Sequence, residues 1–312
     1  MKKVLLAAGL MGLMGTTAIA ELQIGVSVAR FDDNGLTVMR NGMTAFDDAN
    51  DEVSLQIEDA TDDVAKQLDQ INNFIASGVD AIIVNAVDTN ATEAMSNAAA
   101  SAGVPLVYVN RQPINMETLP DGQAFVASNE IESGTLAAFE MCKMLRAEGK
   151  SGGATAYVLV GQLSNQAAVQ RTKDFHDVIG MDMCNFITII DEQTANWSRD
   201  EANDLMTNWI SSGEEFDAVF GNNDEMALGA IQAMKAAGIS MDDVVVGGVD
   251  ATSDALLSMS VGEMDVTVFQ DLAGQGAGSI QTAMDLANGL EVDKTVFIPF
   301  QLVTPANLAE FQ

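Results

Sequence analysis

Two stretches of this chain repeat the same order of apolar and polar segments, and this repeat constrains the fold more than any other feature. The first runs from residue 79 to Asn110 and the second from residue 216 to Asp250. Each has a short apolar run, a helical segment followed by a glycine, and a second apolar run, which is the order of a β-α-β unit. The runs are almost continuously apolar, as in parallel strands that are covered on both faces.

The segments outside the repeat continue the alternation of strand and helix. Residues 22–28 and 53–57 alternate apolar with polar or small residues, as strands do. Two groups of apolar residues have helical spacing instead: Leu36, Met39, Met43 and Phe46, then Val64, Leu68, Ile71 and Ile75. The series restarts near residues 128–129. The sequence therefore predicts an α/β fold with parallel sheets in two similar lobes.

Residues 1–20 have the three parts of a secretory signal peptide. Lys2 and Lys3 precede an apolar run at residues 4–14, and small residues close the segment at Ala20. The apolar run is shorter than a membrane-spanning helix requires. We therefore expect cleavage before Glu21 and a periplasmic location for the protein.

The net charge and the rare residue types exclude several classes of function. A formal net charge of −31 is incompatible with the clustered basic surface that phosphates need, so nucleic acid is not expected as a partner. His176 is the single histidine and is expected on the surface of a helix, so neither a Ser-His-Asp triad nor a histidine-based metal site is expected. We expect no enzyme activity, no cofactor and no metal. A secreted sugar-acting enzyme with paired carboxylates is the remaining enzymatic alternative.

The chain contains two cysteines, Cys142 and Cys184, which allow a single pairing. Export to an oxidising compartment permits a disulfide between them. Two buried free thiols fit the sequence equally well, so both states stay open at this point.

Polar residues stand at the ends of the predicted strands. Asn110 and Arg111 end one strand, residues 222–224 end another, and Asp250 ends a third. Ligands of doubly wound sheets bind beyond the carboxyl ends of the strands, so two facing lobes would bring these side chains into one cleft. Their mixture of donors and acceptors suits a polyhydroxylated ligand, and Trp197 offers a face for a sugar ring. The alternatives are helix capping by the Asn and Asp residues and ordinary packing of Trp197.

Several short segments, in order and with matching spacing, carry a resemblance to a known family: residues 30–35, 109–113, 170–172, 195–197, 222–229, 248–250 and 269–271. In these segments the chain resembles the periplasmic sugar-binding proteins of ABC transporters, which have the type I binding-protein fold. The similarity is greatest to the glucose/galactose-binding branch and to the inositol-type binders. It extends over nearly the whole chain after residue 20.

This resemblance implies two Rossmann-like lobes that are joined by a three-strand hinge. The crossovers are expected near residues 128–129, 270–271 and 298–299. The first lobe then comprises residues 21–128 and 271–298, and the second comprises residues 129–270 and 299–312. The implied function is capture of a monosaccharide or inositol-like polyol between the lobes of a monomer, followed by delivery to an ABC transporter permease. The alternative is a sugar sensor that presents its ligand to a chemoreceptor or a sensor kinase.

The resemblance also implies which residues bind the ligand. In the family, the equivalent of Trp197 stacks on the ligand ring, and the other positions provide hydrogen bonds to its oxygens. The matching residues of this chain are Asp33, Asn110, Arg111, Asn165, Arg171, Trp197, Asn223, Asp250 and Gln270.

The chain departs from the family pattern at a few positions that bear on the ligand. Gly35 stands where the family usually has a stacking phenylalanine, and Phe31 could replace that ring only if its loop shifted. Ala167 stands where the galactose branch has an aspartate. Residues 146–153 lack the alternating acids of that branch's calcium loop, so no metal is expected. Hexoses, pentoses and cyclic polyols all remain compatible with the sequence.

Overall fold

The computed structural model describes residues 21–312, and the predicted signal peptide lies outside the described residues. The strands are β1 (Leu22–Val28), β2 (Val53–Asp59), β3 (Ala81–Val84), β4 (Leu106–Val109), β5 (Gln123–Ala127), β6 (Ala154–Val160), β7 (Ile187–Thr194), β8 (Ala218–Gly221), β9 (Val245–Gly247), β10 (Thr267–Phe269), β11 (Thr295–Phe297) and β12 (Gln301–Val303). The α-helices are α1 (Asn34–Asp48), α2 (Val64–Ser77), α3 (Thr92–Ala102), α4 (Glu130–Ala147), α5 (Gln166–Ile179), α6 (Arg199–Ser211), α7 (Asp224–Ala236), α8 (Ser253–Ser260) and α9 (Leu272–Ala287).

The two predicted lobes have sheets of the same topology. The first sheet has the strand order β11-β5-β4-β3-β1-β2, and all its neighbouring strands are parallel. The second has the order β7-β6-β8-β9, also parallel, and isolated parallel bridges connect the β9 region to β10. The two copies of the sequence repeat therefore form matching strand pairs, β3 and β4 in the first sheet and β8 and β9 in the second. One pair differs from the expected parallel pattern, because β12 runs antiparallel to β10.

The strand runs are buried as their composition predicts. Every residue of β3, β4 and β8 is buried, since helices cover both faces of each sheet. Gly103, which follows α3, has a left-handed backbone with a φ of 70° and caps that helix. None of the helices in residues 21–312 is long and apolar enough to cross a membrane.

Helix α2 buries two polar residues beside the apolar face that its spacing predicts. Ile71 is buried as expected, but Gln67 and Gln70 are buried beside it. Gln67 Nε2 donates to the carbonyl oxygen of Asn85 at 3.0 Å, and Gln70 Oε1 accepts from the Ser27 hydroxyl at 2.7 Å. Because these amides find partners inside the protein, their burial carries no unpaired polar group.

Cys142 on α4 forms a disulfide with Cys184, which lies between α5 and β7. This resolves the two states that the sequence left open. Both residues belong to the hydrophobic core around the second sheet, so the bridge lies within one lobe.

Candidate ligand-binding cleft

A cleft between the two lobes is lined by all nine side chains that the resemblance singles out. Glu130 and the apolar residues Leu36 and Leu272 also line it, and sequence reasoning did not identify these three. Gly35 and Ala167, the two departures from the family pattern, face the same space. The two lobes also contact each other directly. The N–H of Thr89 donates to the carbonyl oxygen of Ser164 at 2.9 Å.

Three of the cleft residues have a left-handed backbone at or near the end of a strand. The φ values are 66° for Asn110, 66° for Trp197 and 125° for Asp250. Asn and Asp tolerate this region better than other residues with side chains, whereas a bulky residue such as Trp rarely occupies it. Such backbone persists only where the surrounding structure enforces it, and it is concentrated at functional sites.

Three other cleft residues also cap helices, which is the alternative role that the sequence offered for Asn and Asp residues. Asp33 accepts from the Leu36 N–H at 2.8 Å and caps α1. Asn165 caps α5 and Asn223 caps α7 in the same way. Each side chain commits one oxygen to the helix. The second carboxylate oxygen of Asp33 and the amide nitrogens of the two Asn residues are not needed for capping and remain for a ligand.

Arg171 is the most heavily bonded side chain in the cleft. Its Nε donates to Glu130 Oε2 at 2.7 Å and its Nη2 to Glu130 Oε1 at 3.1 Å. Nη1 donates to the carbonyl oxygen of Asn222 at 2.8 Å, and Nη2 also reaches Gln270 Oε1 at 3.3 Å. The pair with Glu130 is bidentate and buried, with each side chain only 5% exposed. Glu130 therefore fixes the guanidinium plane.

Asp250 is a poorly paired carboxylate whose side chain is 10% exposed. Its Oδ1 lies 3.7 Å from Arg171 Nη1, beyond hydrogen-bond distance, and it accepts no hydrogen bond from any group in residues 21–312. Burial raises the pKa of the Asp250 carboxyl well above its usual range, and the charge of Arg171 opposes this rise. Asp224 lies behind it, where burial raises its pKa to about 7 although Thr267 donates to it at 2.7 Å.

The Trp197 indole packs against the backbone of Gly161, directly after β6. A Cβ atom at residue 161 would overlap the six-membered ring, so only glycine leaves room for it. The guanidinium carbon of Arg171 lies 5.8 Å from the ring centre. Trp197 Nε1 is buried without a hydrogen-bond partner in the described part of the chain, as is Gln270 Nε2. Trp197 is thus both buried and at the cleft surface.

Phe31 does not supply the ring that Gly35 lacks. It packs against the first-lobe core, with the Arg40 guanidinium 3.9 Å from its ring centre, and it does not line the cleft. A Cβ atom at Gly35 would lie 3.2 Å from Leu272 Cδ1, 3.3 Å from Asp33 Oδ1 and 4.0 Å from Asp250 Oδ2. A side chain here would crowd Leu272 and Asp33, and the glycine instead leaves the cleft open between the two carboxylates. Among residues 21–312, no cluster of three or more His, Cys, Asp or Glu is placed to hold a metal ion.

Comparison with known proteins agrees with this architecture. A family model described as the periplasmic binding protein domain matches residues 24–291. A protein of Rhizobium meliloti that is named for binding rhizopine is 60% identical over 312 residues, covering 100% of this chain and 99% of the relative.

Two solved structures extend the comparison. An ABC transporter solute-binding protein of Bacillus halodurans, with myo-inositol bound, is 39% identical with a TM-score of 0.86, covering 95% of this chain and 99% of that one. The myo-inositol-binding protein of Caulobacter, also with myo-inositol bound, is 25% identical with a TM-score of 0.84, covering 96% and 98%. With its domain match, its two-lobe fold and its interlobe cleft, this chain belongs to the periplasmic binding protein family.

Proposed function

We propose that the protein captures a monosaccharide or an inositol-like polyol in the interlobe cleft and delivers it to the permease of an ABC importer. The cleft combines carboxylates, amides and a guanidinium group with one indole face. A polyol needs this mixture, because each of its hydroxyls both donates and accepts hydrogen bonds. The Bacillus halodurans relative belongs to an ABC transporter, which favours import over the sensor role.

The unpaired polar atoms of the cleft carry this proposal. Trp197 Nε1 and Gln270 Nε2 are buried without a hydrogen-bond partner in residues 21–312. The Asp250 carboxylate, 10% exposed, has only the ion pair with Arg171 at 3.7 Å. An unpaired buried polar atom costs about 1–3 kcal/mol. Ligand hydroxyls would pair with these atoms, since a hydroxyl donates to a carboxylate and accepts from an indole or amide N–H. An analogue that lacks one such hydroxyl is then rejected by a similar free energy.

Within this class, a cyclic polyol is the first candidate. Two relatives bind myo-inositol, and a third is named for rhizopine. With Gly35 in place of a ring, one ligand face meets the open space between Asp33 and Asp250 rather than an aromatic side chain. That space favours a ligand with hydroxyl groups on both faces over a sugar that requires two stacking rings.

The remaining parts of the proposal concern the chain as a whole. We place the lobe boundaries at residues 128–129, 270–271 and 298–299, supported by α4 packing in the second lobe and α9 packing on α1 of the first. A cleaved signal peptide at residues 1–20, a periplasmic monomer and the absence of enzyme activity complete it. Incubation with sugars and inositols, followed by chromatography, tests the last point, because any new product would contradict it.

Isothermal titration calorimetry tests the function directly. The ligands are myo-inositol, rhizopine, D-ribose and D-galactose, titrated into protein that is produced from the full-length chain. We expect saturable binding of at least one cyclic polyol. If none of the four ligands produced a binding heat, the proposed ligand class would be overturned. Asp250→Asn should abolish binding of the polyol, whereas Asp204→Asn, an exposed change on α6, should leave it intact.

Tryptophan fluorescence locates the ligand within the cleft. Trp209 lies in the second-lobe core, stacked on Tyr157 with 4.4 Å between ring centres, and its N–H donates to Asp191. Trp209→Phe should therefore preserve the ligand-induced change in emission, whereas Trp197→Phe should remove it. The opposite result would show that the ligand does not contact the Trp197 ring.

A further inference from the structure

We propose that Gln275, a fully buried residue of α9 outside the cleft, is a positioning residue that orients the side-chain amide of Asn110 toward the ligand and connects it to the crossover at Ser128. The inference rests on the proposed function, since it concerns how one residue of that cleft is held. Gln275 is absent from the cleft lining, and the resemblance assigns it no role.

A continuous series of hydrogen bonds connects these side chains. Asn85 Nδ2 donates to Asn110 Oδ1 at 3.3 Å, and Asn110 Nδ2 donates to Gln275 Oε1 at 3.1 Å. Gln275 Nε2 then donates to Ser128 Oγ at 3.0 Å. Asn85, Gln275 and Ser128 are buried, so water does not compete for these bonds. A buried network of this kind fixes its members in one arrangement when every partner is satisfied.

A backbone group sets the direction of the whole series. The N–H of Ala29 donates to Asn85 Oδ1 at 3.3 Å, and a backbone N–H can only donate. The oxygen of Asn85 must therefore face Ala29, which turns its Nδ2 toward Asn110. Asn110 must in turn present its oxygen to Asn85 and its nitrogen to Gln275. Reversing the Asn110 amide would place its N–H group against the N–H group of Asn85 and its oxygen against the oxygen of Gln275.

The fixed orientation determines what Asn110 offers to a ligand. Its Nδ2 has a second hydrogen and its Oδ1 has a second lone pair, and neither is used by the protein groups described above. Asn110 can therefore donate once and accept once, which matches a single hydroxyl group. Without Gln275, the amide nitrogen loses its partner, and the bond from Asn85 alone holds the Asn110 side chain.

The same series reaches the region between the lobes. Ser128 lies between the end of β5 and the start of α4, at the proposed first crossover. Gln275 lies in the first turn of α9, shortly after the proposed second crossover. A rotation of the lobes about residues 128–129 would thus move Ser128, to which Gln275 donates a hydrogen bond. Through Ser128 and Gln275, the orientation of the Asn110 amide depends on whether the hinge is open or closed.

A double-mutant cycle tests the proposal with myo-inositol as the probe. Gln275→Met has nearly the shape of glutamine, but its thioether sulfur is only a weak acceptor for the Asn110 amide. We expect it to weaken binding about tenfold in the otherwise unchanged protein, and less than about twofold in the Asn110→Ala variant, because the residue acts through Asn110. Gln281→Met, an exposed change on the same helix, should leave the affinity unchanged. Equal losses in both backgrounds, or no loss, would overturn the proposal.

NMR of the ligand-free protein gives a second readout that does not depend on binding. The side-chain amide signals of Asn110 are identified by their absence in Asn110→Ala. We expect these signals to shift in Gln275→Met. They should also shift in Ser128→Ala, which replaces Gln275→Met in this test if Gln275→Met fails to fold. Unchanged Asn110 signals would overturn the positioning role. If the protein binds none of the tested polyols, the proposed function fails while this measurement still decides the role of Gln275.

Discussion

Arg171 and Glu130 form a bidentate ion pair that is buried at the base of the cleft. The two residues are 41 positions apart in the chain, and the carboxylate is also held by the hydroxyl of Ser133 at 3.0 Å. Glu130 begins α4, and Arg171 lies on α5. The guanidinium that lines the cleft is thus also part of the internal support of the second lobe.

This pairing changes the expected effect of removing Arg171. If Arg171 were only a ligand-binding residue, its removal would abolish binding and leave the fold intact. In the structure, Arg171→Met leaves a buried, unpaired Glu130 carboxylate, so we expect the free energy of unfolding to fall by about 3 kcal/mol. Urea denaturation measures this fall. Arg171→Met with Glu130→Gln should recover most of it without restoring binding, and Lys173→Met, in an exposed pair on the same helix, should change little.

Asp174 should make the protein less stable as the pH rises from 4 to 6. Burial, reinforced by the charge of Glu130, raises the pKa of Asp174 to about 6, although Gln170 donates to it. The unfolded chain releases this proton near pH 3.9. Protonated Asp174 therefore contributes its full stabilisation of the folded form below about pH 3.9, and this contribution is lost as the pH rises through about 6. Asp174→Asn should gain on the order of 2 kcal/mol relative to the parent protein between pH 4 and pH 7.

Denaturant titrations across this pH range measure the effect, with Asp204→Asn, an exposed change on α6, as the control. The control should not show a gain in stability that grows between pH 4 and pH 7. A constant difference for Asp174→Asn would contradict the prediction.

Gly161→Ala should displace the Trp197 indole, because the new methyl group would occupy the place of the ring. We expect at least a tenfold loss of polyol affinity and a shift of Trp197 emission in a Trp209→Phe background. Gly152→Ala is the matched control, since a Cβ atom there meets no other atom within 4 Å. Unaltered affinity in Gly161→Ala would mean that the position of the indole does not matter for binding.

Loss of the disulfide should lower stability without affecting the cleft. The bridge closes a loop of 42 residues, which corresponds to about 4 kcal/mol by loop-closure entropy. The variant with Cys142→Ser and Cys184→Ser should melt at a lower temperature and bind polyol with unchanged affinity, because the bridge lies within the second lobe. Dithiothreitol should lower the Tm of the parent protein only; an equal effect on the variant would argue against a stabilising bridge.

The strands could be predicted from the sequence because helices cover both faces of each sheet. This burial leaves a local signature, the apolar runs at β3 and β8. The burial of Gln67 and Gln70 on α2 could not be predicted in the same way. Gln67 and Gln70 are buried because they find partners in Asn85, Asp59 and Ser27, which are distant in the chain.

Among the cleft residues too, those with a local sequence signal could be predicted and those that depend on distant partners could not. All nine predicted side chains line the cleft, since the strand ends and the family resemblance mark them locally. Glu130 looks like an ordinary acid in the first turn of a helix, and its role depends on a partner on another helix. Gln275 is 165 residues from Asn110. Pairings of this range leave no periodic signal in a single sequence.

The left-handed backbone at Asn110 and Asp250 limits how the selectivity of this protein can be redesigned. β-Branched or bulky residues at these positions would strain the main chain before any ligand is considered, so the side chains open to exchange there are short and polar. Gly35 and Ala167 lie in the first turns of α1 and α5, where the backbone accepts most residue types. New ligand preferences are therefore best sought at the helix starts, with the strand ends left as they are.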